Sequence, residues 1–145
     1  MSVKKLCVLG ATGSIGLNTL DVAARHPDKY EIYALSAHSG WQSLLDLCVQ
    51  YSPKYAVISD ERAADEARAA FVSSKVCTQL IVGPQGLIDI ASLDEVDIVM
   101  AAIVGSAGLE ASYAAADTGK KVLLRVGHYW AIGVATYCND GGGRK

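Results

Sequence analysis

Apolar and polar positions along this chain switch repeatedly between two periods. Short apolar runs at 3–9, 30–37, 55–59, 76–82, 97–104 and 121–124 predict six strands, because near-continuous apolar runs of this length suit strands buried on both faces. Between them the period lengthens. Ile15, Leu20, Val22 and Ala23 mark one face of a helix over 14–26, and Leu44, Leu45, Cys48 and Val49 do the same over 41–51. Further helices are expected at 60–71, 87–92 and 109–118. Pro27-Asp28 ends the first helix and Ser52-Pro53 the second, Asp60 caps the third, and Gly119 caps the last. The charge run Glu61 to Arg68 reads as a solvated helix face. The 97–104 run is the most apolar and belongs near the middle of a sheet.

Strands alternating with helices at this interval imply parallel βαβ units with right-handed crossovers, hence an α/β fold with a doubly wound parallel sheet, Rossmann-like in kind. Such sheets bind ligands beyond the carboxyl ends of their strands. The loops at 10–16, 37–40 and 101–108 therefore meet at one crevice.

The first of these loops carries the strongest chemical signal. Leu9-Gly10-Ala11-Thr12-Gly13-Ser14-Ile15-Gly16 stands between a strand and a helix start. A helix N-terminus presents unpaired N–H groups and the positive end of a dipole, which suits a dinucleotide phosphate. Gly10 allows a sharp turn off the strand, Gly13 lets a pyrophosphate approach the backbone, and Gly16 lets the helix pack close to the strand. Thr12 and Ser14 add hydroxyls. The spacing Gly-x-x-Gly-x-x-Gly is less specific than Gly-x-Gly-x-x-Gly, and a glycine turn that merely packs is the bland alternative. The flanking strand and helix favour the phosphate.

The second loop bears on the choice of cofactor. An NAD site commonly places Asp or Glu at the end of the second strand to hold the ribose hydroxyls. Here the segment reads Ser36-Ala37-His38-Ser39-Gly40, with no carboxylate. A 2′-phosphate meets no repulsion there, and His38 and Ser39 could donate to it, which favours NADP. His38 reads equally well as an ordinary exposed loop histidine.

Composition narrows the classes. With 145 residues and 51% hydrophobic content the chain makes one domain with a real core. A net charge of −2 with both signs scattered offers no basic footprint for nucleic acid and no polybasic membrane patch. Met1-Ser2-Val3-Lys4-Lys5 runs straight into a strand without a signal-peptide core, so a cytoplasmic location is expected. Cys7, Cys48, Cys77 and Cys138 form no Cys-x-x-Cys pair, and His26, His38 and His128 have no metal-ligand spacing. Reduced structural thiols and no metal site are expected, with Cys7 in the core.

Several motifs then occur in one order: Val8-Leu9-Gly10-Ala11-Thr12-Gly13-Ser14-Ile15-Gly16, Thr19-Leu20-Asp21-Val22, His26-Pro27, Tyr55-Ala56-Val57, and Asp97-Ile98-Val99-Met100-Ala101-Ala102-Ile103-Val104-Gly105-Ser106-Ala107-Gly108-Leu109. Over 4–124 the chain resembles the NADPH-binding N-terminal part of the 1-deoxy-D-xylulose 5-phosphate reductoisomerases. That family makes 2-C-methyl-D-erythritol 4-phosphate for isoprenoid synthesis. The resemblance implies that Thr12, Gly13, Ser14 and Ile15 hold the pyrophosphate, and that His38, Ser39 and Gly40 receive the adenosine 2′-phosphate. It places Ile103, Val104 and Gly105 near the nicotinamide. Other members often carry a basic residue in the second loop; this chain has none between Ala37 and Gly40 beyond His38. The family also implies a homodimer, a sugar-phosphate substrate and a divalent metal, Mg or Mn.

After Leu124 the likeness stops. The family continues Ala-Asn-Lys-Glu, whose Asn and Glu contact the cofactor and whose Lys contacts substrate, whereas this chain reads Arg125-Val126-Gly127-His128-Tyr129-Trp130-Ala131. Positions 126, 127 and 128 cannot inherit those roles. The expectation is a cofactor domain over 1–124 and a divergent, weakly ordered tail over 125–145, although 122–126 can complete the last strand. The break falls within one strand, which suggests a frameshift or truncation, and Asn-Lys-Glu in another reading frame downstream would support that. The metal-binding carboxylates and the catalytic and C-terminal parts of the family are missing, so no turnover by this chain alone is expected. In the tail, Tyr137, Cys138, Asn139 and Asp140 are reactive types without a recognisable arrangement.

Two other readings stay open from the residues alone. A short-chain or NmrA-like NADP reductase also uses Gly-x-Thr-Gly-x-x-Gly, but the Tyr-x-x-x-Lys pair of typical short-chain enzymes is absent, Tyr51 and Lys54 having the wrong spacing. The other is a non-catalytic NADP-binding module.

Overall fold

A computed structural model describes residues 3–103, 106–126 and 129–134. Its strands are β1 (Lys4–Leu9), β2 (Tyr30–Ala37), β3 (Tyr55–Ile58), β4 (Gln79–Val82), β5 (Ile98–Ala101), β6 (Lys121–Val126) and β7 (Tyr129–Val134). Its α-helices are α1 (Ser14–Ala24), α2 (Trp41–Tyr51), α3 (Ala64–Ser74), α4 (Gln85–Ala91) and α5 (Ser106–Asp117). The strands belong to one sheet in the order β4-β3-β2-β1-β5-β6-β7. From β1 to β6 every pairing is parallel.

Side-chain alternation in β1 divides the core. Leu6 and Val8 join Leu20, Leu44, Leu47 and Phe71 on the face covered by α1, α2 and α3. Cys7 and Leu9 join Leu87, Ile90, Ala111 and Ala115 under α4 and α5. Helices on both faces of a parallel sheet are the doubly wound arrangement, and the strand order reverses at β1, between β2 and β5. The expected central run lands beside that reversal as β5. Cys7 is fully buried, as its place in the first strand suggests.

Several elements differ from the sequence reading, three of them in ways that bear on the sheet and its loops. The helix expected from residue 60 opens with a 3-10 turn, Glu61–Ala63, before α3, because the Asp60 side chain accepts from the Arg62 N–H and tightens the start. The last helix begins three residues early, at Ser106. The segment 129–134, expected as weakly ordered tail, forms β7 and pairs antiparallel with β6, Leu124 opposite Ala131. Tyr-Trp-Ala-Ile-Gly-Val is rich in strand-forming residues and can satisfy the open edge of β6.

Among the described residues, the sheet beyond α1 is left partly uncovered on the α1 side. Ile98, Met100 and Leu123 line a groove of about 520 Å³ against Ile15, Thr19 and Val22 of α1.

Candidate functional site

The glycine turn begins where β1 ends at the point of strand reversal. Gly10 has φ +78°, in the left-handed region, and a Cβ there would overlap the Ile103 side chain. A Cβ on Gly16 would overlap the Gly10 carbonyl oxygen and lie 2.7 Å from the Ala11 Cα. These two glycines are required by the fold. Gly13 differs: a Cβ would meet only the Gly10 oxygen, at 3.7 Å, so its outer side is open.

Gly13 is the N-cap of α1, with extended backbone and no side-chain cap. Its carbonyl accepts from the Leu17 N–H at 2.9 Å, which starts the helix. Among the described residues, the N–H groups of Thr12, Ser14, Ile15 and Gly16 find no protein oxygen. Unpaired donors at the positive end of a helix, beside a glycine that leaves room, form a cradle for an anionic group.

The second loop is tied to the first by Ser36. Its buried hydroxyl accepts from the Gly10 N–H at 3.0 Å, and its carbonyl accepts from the Ala11 N–H at 2.8 Å. The loop after β5 is tied in by the Ala102 N–H, which donates to the Leu9 oxygen at 3.0 Å. Ile103 reaches both glycine positions, since a Cβ on Gly108 would stand 2.7 Å from its Cγ1. The three loops expected to converge are thus joined by hydrogen bonds and by one side chain. Val104 and Gly105, placed near the nicotinamide by the sequence reading, lie outside the described residues, as do 127, 128 and 135–145.

A fourth segment escaped the sequence reading. Parallel pairing of β2 with β3 sets Ala37 opposite Ile58, so the residues after each strand meet. His38 Nδ1 lies 3.1 Å from Ser59 Oγ, and the His38 carbonyl accepts from the Asp60 N–H at 2.9 Å. His38 Nε2 stands 3.9 Å from Asp60 Oδ2. Asp60 in turn accepts from Arg62, through the backbone N–H at 3.0 Å, Nε at 3.1 Å and Nη2 at 3.3 Å. Those bonds hold the Asp60 carboxyl below its ordinary range. A carboxylate and a guanidinium therefore stand beside a loop that reads as nearly uncharged in sequence. Gly40 faces open space.

Among the described residues, no three His, Cys, Asp or Glu side chains converge to hold a metal ion. None of the described helices is long and apolar enough to cross a membrane.

The family model of 1-deoxy-D-xylulose 5-phosphate reductoisomerase matches residues 6–125. The chain belongs to this family. The reductoisomerase of Pseudomonas fluorescens is 50% identical over 123 residues, which cover 85% of this chain and 31% of that protein. The enzyme of Saccharophagus degradans is 49% identical, covering 84% of this chain and 31% of the relative. Among solved structures, a reductoisomerase in complex with NADPH, fosmidomycin and magnesium superposes with a TM-score of 0.79 at 40% identity, over 84% of this chain and 30% of that one. The Zymomonas mobilis reductoisomerase in complex with NADPH gives 0.76 at 36% identity, over 83% of this chain and 31% of that one. The chain thus spans about 31% of the length of these reductoisomerases. Family membership takes the place of the short-chain and NmrA-like alternative.

Proposed function

We propose that this chain is the NADPH-binding portion of a reductoisomerase that converts 1-deoxy-D-xylulose 5-phosphate to 2-C-methyl-D-erythritol 4-phosphate. The observation that carries the reading is the row of N–H groups at Thr12, Ser14, Ile15 and Gly16, unpaired among the described residues, beside the open side of Gly13. A reductoisomerase of the same fold is solved with NADPH bound. Thr12, Gly13, Ser14 and Ile15 hold the pyrophosphate in this reading, Gly10 and Gly16 shape the turn, and Ala37, His38, Ser39 and Gly40 border the adenosine ribose. Ile103, Val104 and Gly105 form the wall toward the nicotinamide. When bound, NADPH supplies the hydride; this chain's own residues anchor and orient it.

Hydride transfer also requires the substrate to be fixed against the nicotinamide. No metal donor set forms among the described residues. We therefore assign magnesium, the sugar phosphate and turnover to the two thirds of the reductoisomerase length that this chain does not span. The cytoplasmic location and the homodimer implied by the family belong to the same reading.

Calorimetric titration of the purified chain with NADPH and NADH, repeated on Gly13→Trp, tests it. Saturable NADPH binding that the variant loses is expected. A folded chain that binds neither cofactor, or one that catalyses turnover alone, would overturn the reading.

A further inference from the structure

We propose that Arg62 selects NADPH over NADH, supplying the fixed positive charge that the loop after β2 lacks; this rests on the cofactor reading above. Ser39 and Gly40 carry no charge, and an imidazole is a weak phosphate ligand at neutral pH. The adenosine ribose in doubly wound sheets lies at the end of the second strand. In this chain that place is flanked by the segment after β3, because β2 and β3 pair in parallel with Ala37 opposite Ile58. Two short steps link the imidazole of His38 to the guanidinium: 3.9 Å from Nε2 to Asp60 Oδ2, then 3.3 Å from that oxygen to Arg62 Nη2.

The pair does two things at once. Asp60, after β3, stands beside His38 at the end of β2, and its negative charge would repel a 2′-phosphate held there. Arg62 answers that charge with three N–H donors, one from its backbone. Because Nε and Nη2 face Asp60, the remaining edge of the guanidinium with Nη1 is left to solvent, and the side chain is 88% exposed. An arginine fixed on one edge by a carboxylate is pre-ordered to meet a phosphate with the other. Glu61, next in the chain, turns toward Gly83, where a Cβ would lie 3.2 Å from its Oε2.

Removing Arg62 therefore deletes a phosphate ligand and exposes an uncompensated carboxylate in one stroke. Titrations of the full chain with NADPH and with NADH test this, using Arg62→Ala, Arg62→Lys and the double variant Arg62→Ala/Asp60→Asn. Arg62→Ala is expected to weaken NADPH at least about tenfold while leaving NADH within about twofold. Arg62→Lys keeps part of the preference, and the double variant recovers part of the NADPH affinity lost in Arg62→Ala. Unchanged NADPH affinity in Arg62→Ala overturns the inference while leaving the cofactor reading intact. Equal loss of both cofactors also overturns it, since that marks a structural role. A wild-type chain that is folded and binds neither cofactor overturns both.

Discussion

The Gly16 Cα hydrogen points at the Gly10 carbonyl oxygen so closely that no Cβ fits between them. The close contact brings α1 down onto the end of β1. Gly16→Ala must push the helix away, and overpacking of this kind costs about 1–3 kcal/mol. A fall in thermal midpoint for Gly16→Ala, with Gly13→Ala much less affected because its outer side is open, is the outcome expected from calorimetric melting.

Ser36 is buried, and its hydroxyl receives the Gly10 N–H. Ser36→Ala leaves that donor unpaired, a loss of about 1–3 kcal/mol. Urea unfolding should show a lower midpoint with an unchanged slope. On the proposed function NADPH affinity should fall too, because the glycine turn loses its link to β2.

The Asp60 carboxyl is held below its ordinary range by its hydrogen bonds to Arg62. A depressed folded-state pKa gives stability that is present above the unfolded value, about 3.9, and is lost as pH falls through the folded value. Melting wild type and Asp60→Asn between pH 6 and pH 2 should show a small advantage for wild type that fades at the acidic end. The site is open to solvent, so added salt should shrink that advantage.

Cys48 is buried and its thiol is pushed up to about 11, while Cys7 is pushed higher still by burial. Cys77 is exposed. Brief alkylation of the native chain at pH 8 should modify Cys77 and spare Cys7 and Cys48 until denaturant is added, as read by peptide mass mapping.

Elements with clean periodicity were legible in sequence. The strand Tyr30–Ala37 and the helix Trp41–Tyr51 have the bounds their residues predict, because each lies between strong stop signals at Pro27, Gly40 and Pro53. The expected strand 76–82 forms only from Gln79, and the Thr78 hydroxyl just before it donates to the Pro53 carbonyl. At the glycine turn the motif predicted which glycines the fold needs. The neighbour of the second loop was hidden, because His38 and Ser59 are 21 positions apart and only the register of β2 on β3 joins them. Local pattern carries no register between strands. β7 was hidden because Tyr129–Val134 lies past the end of every motif.

The placement of β1 between β2 and β5 also governs when the turn can mature during synthesis. Lys5 reaches its partner Asp97 across 92 positions. A nascent chain that has released only β1 to β4 holds a four-stranded sheet with β1 as its bare edge and no Ile103 behind Gly10. The longer loop itself adds little entropy, since each doubling of length costs about 0.6 kcal/mol. The burden is temporal. Until β5 is made, this domain carries its glycine turn on an edge strand paired on one side alone, and arrival of β5 both seals that edge and gives the turn its back wall.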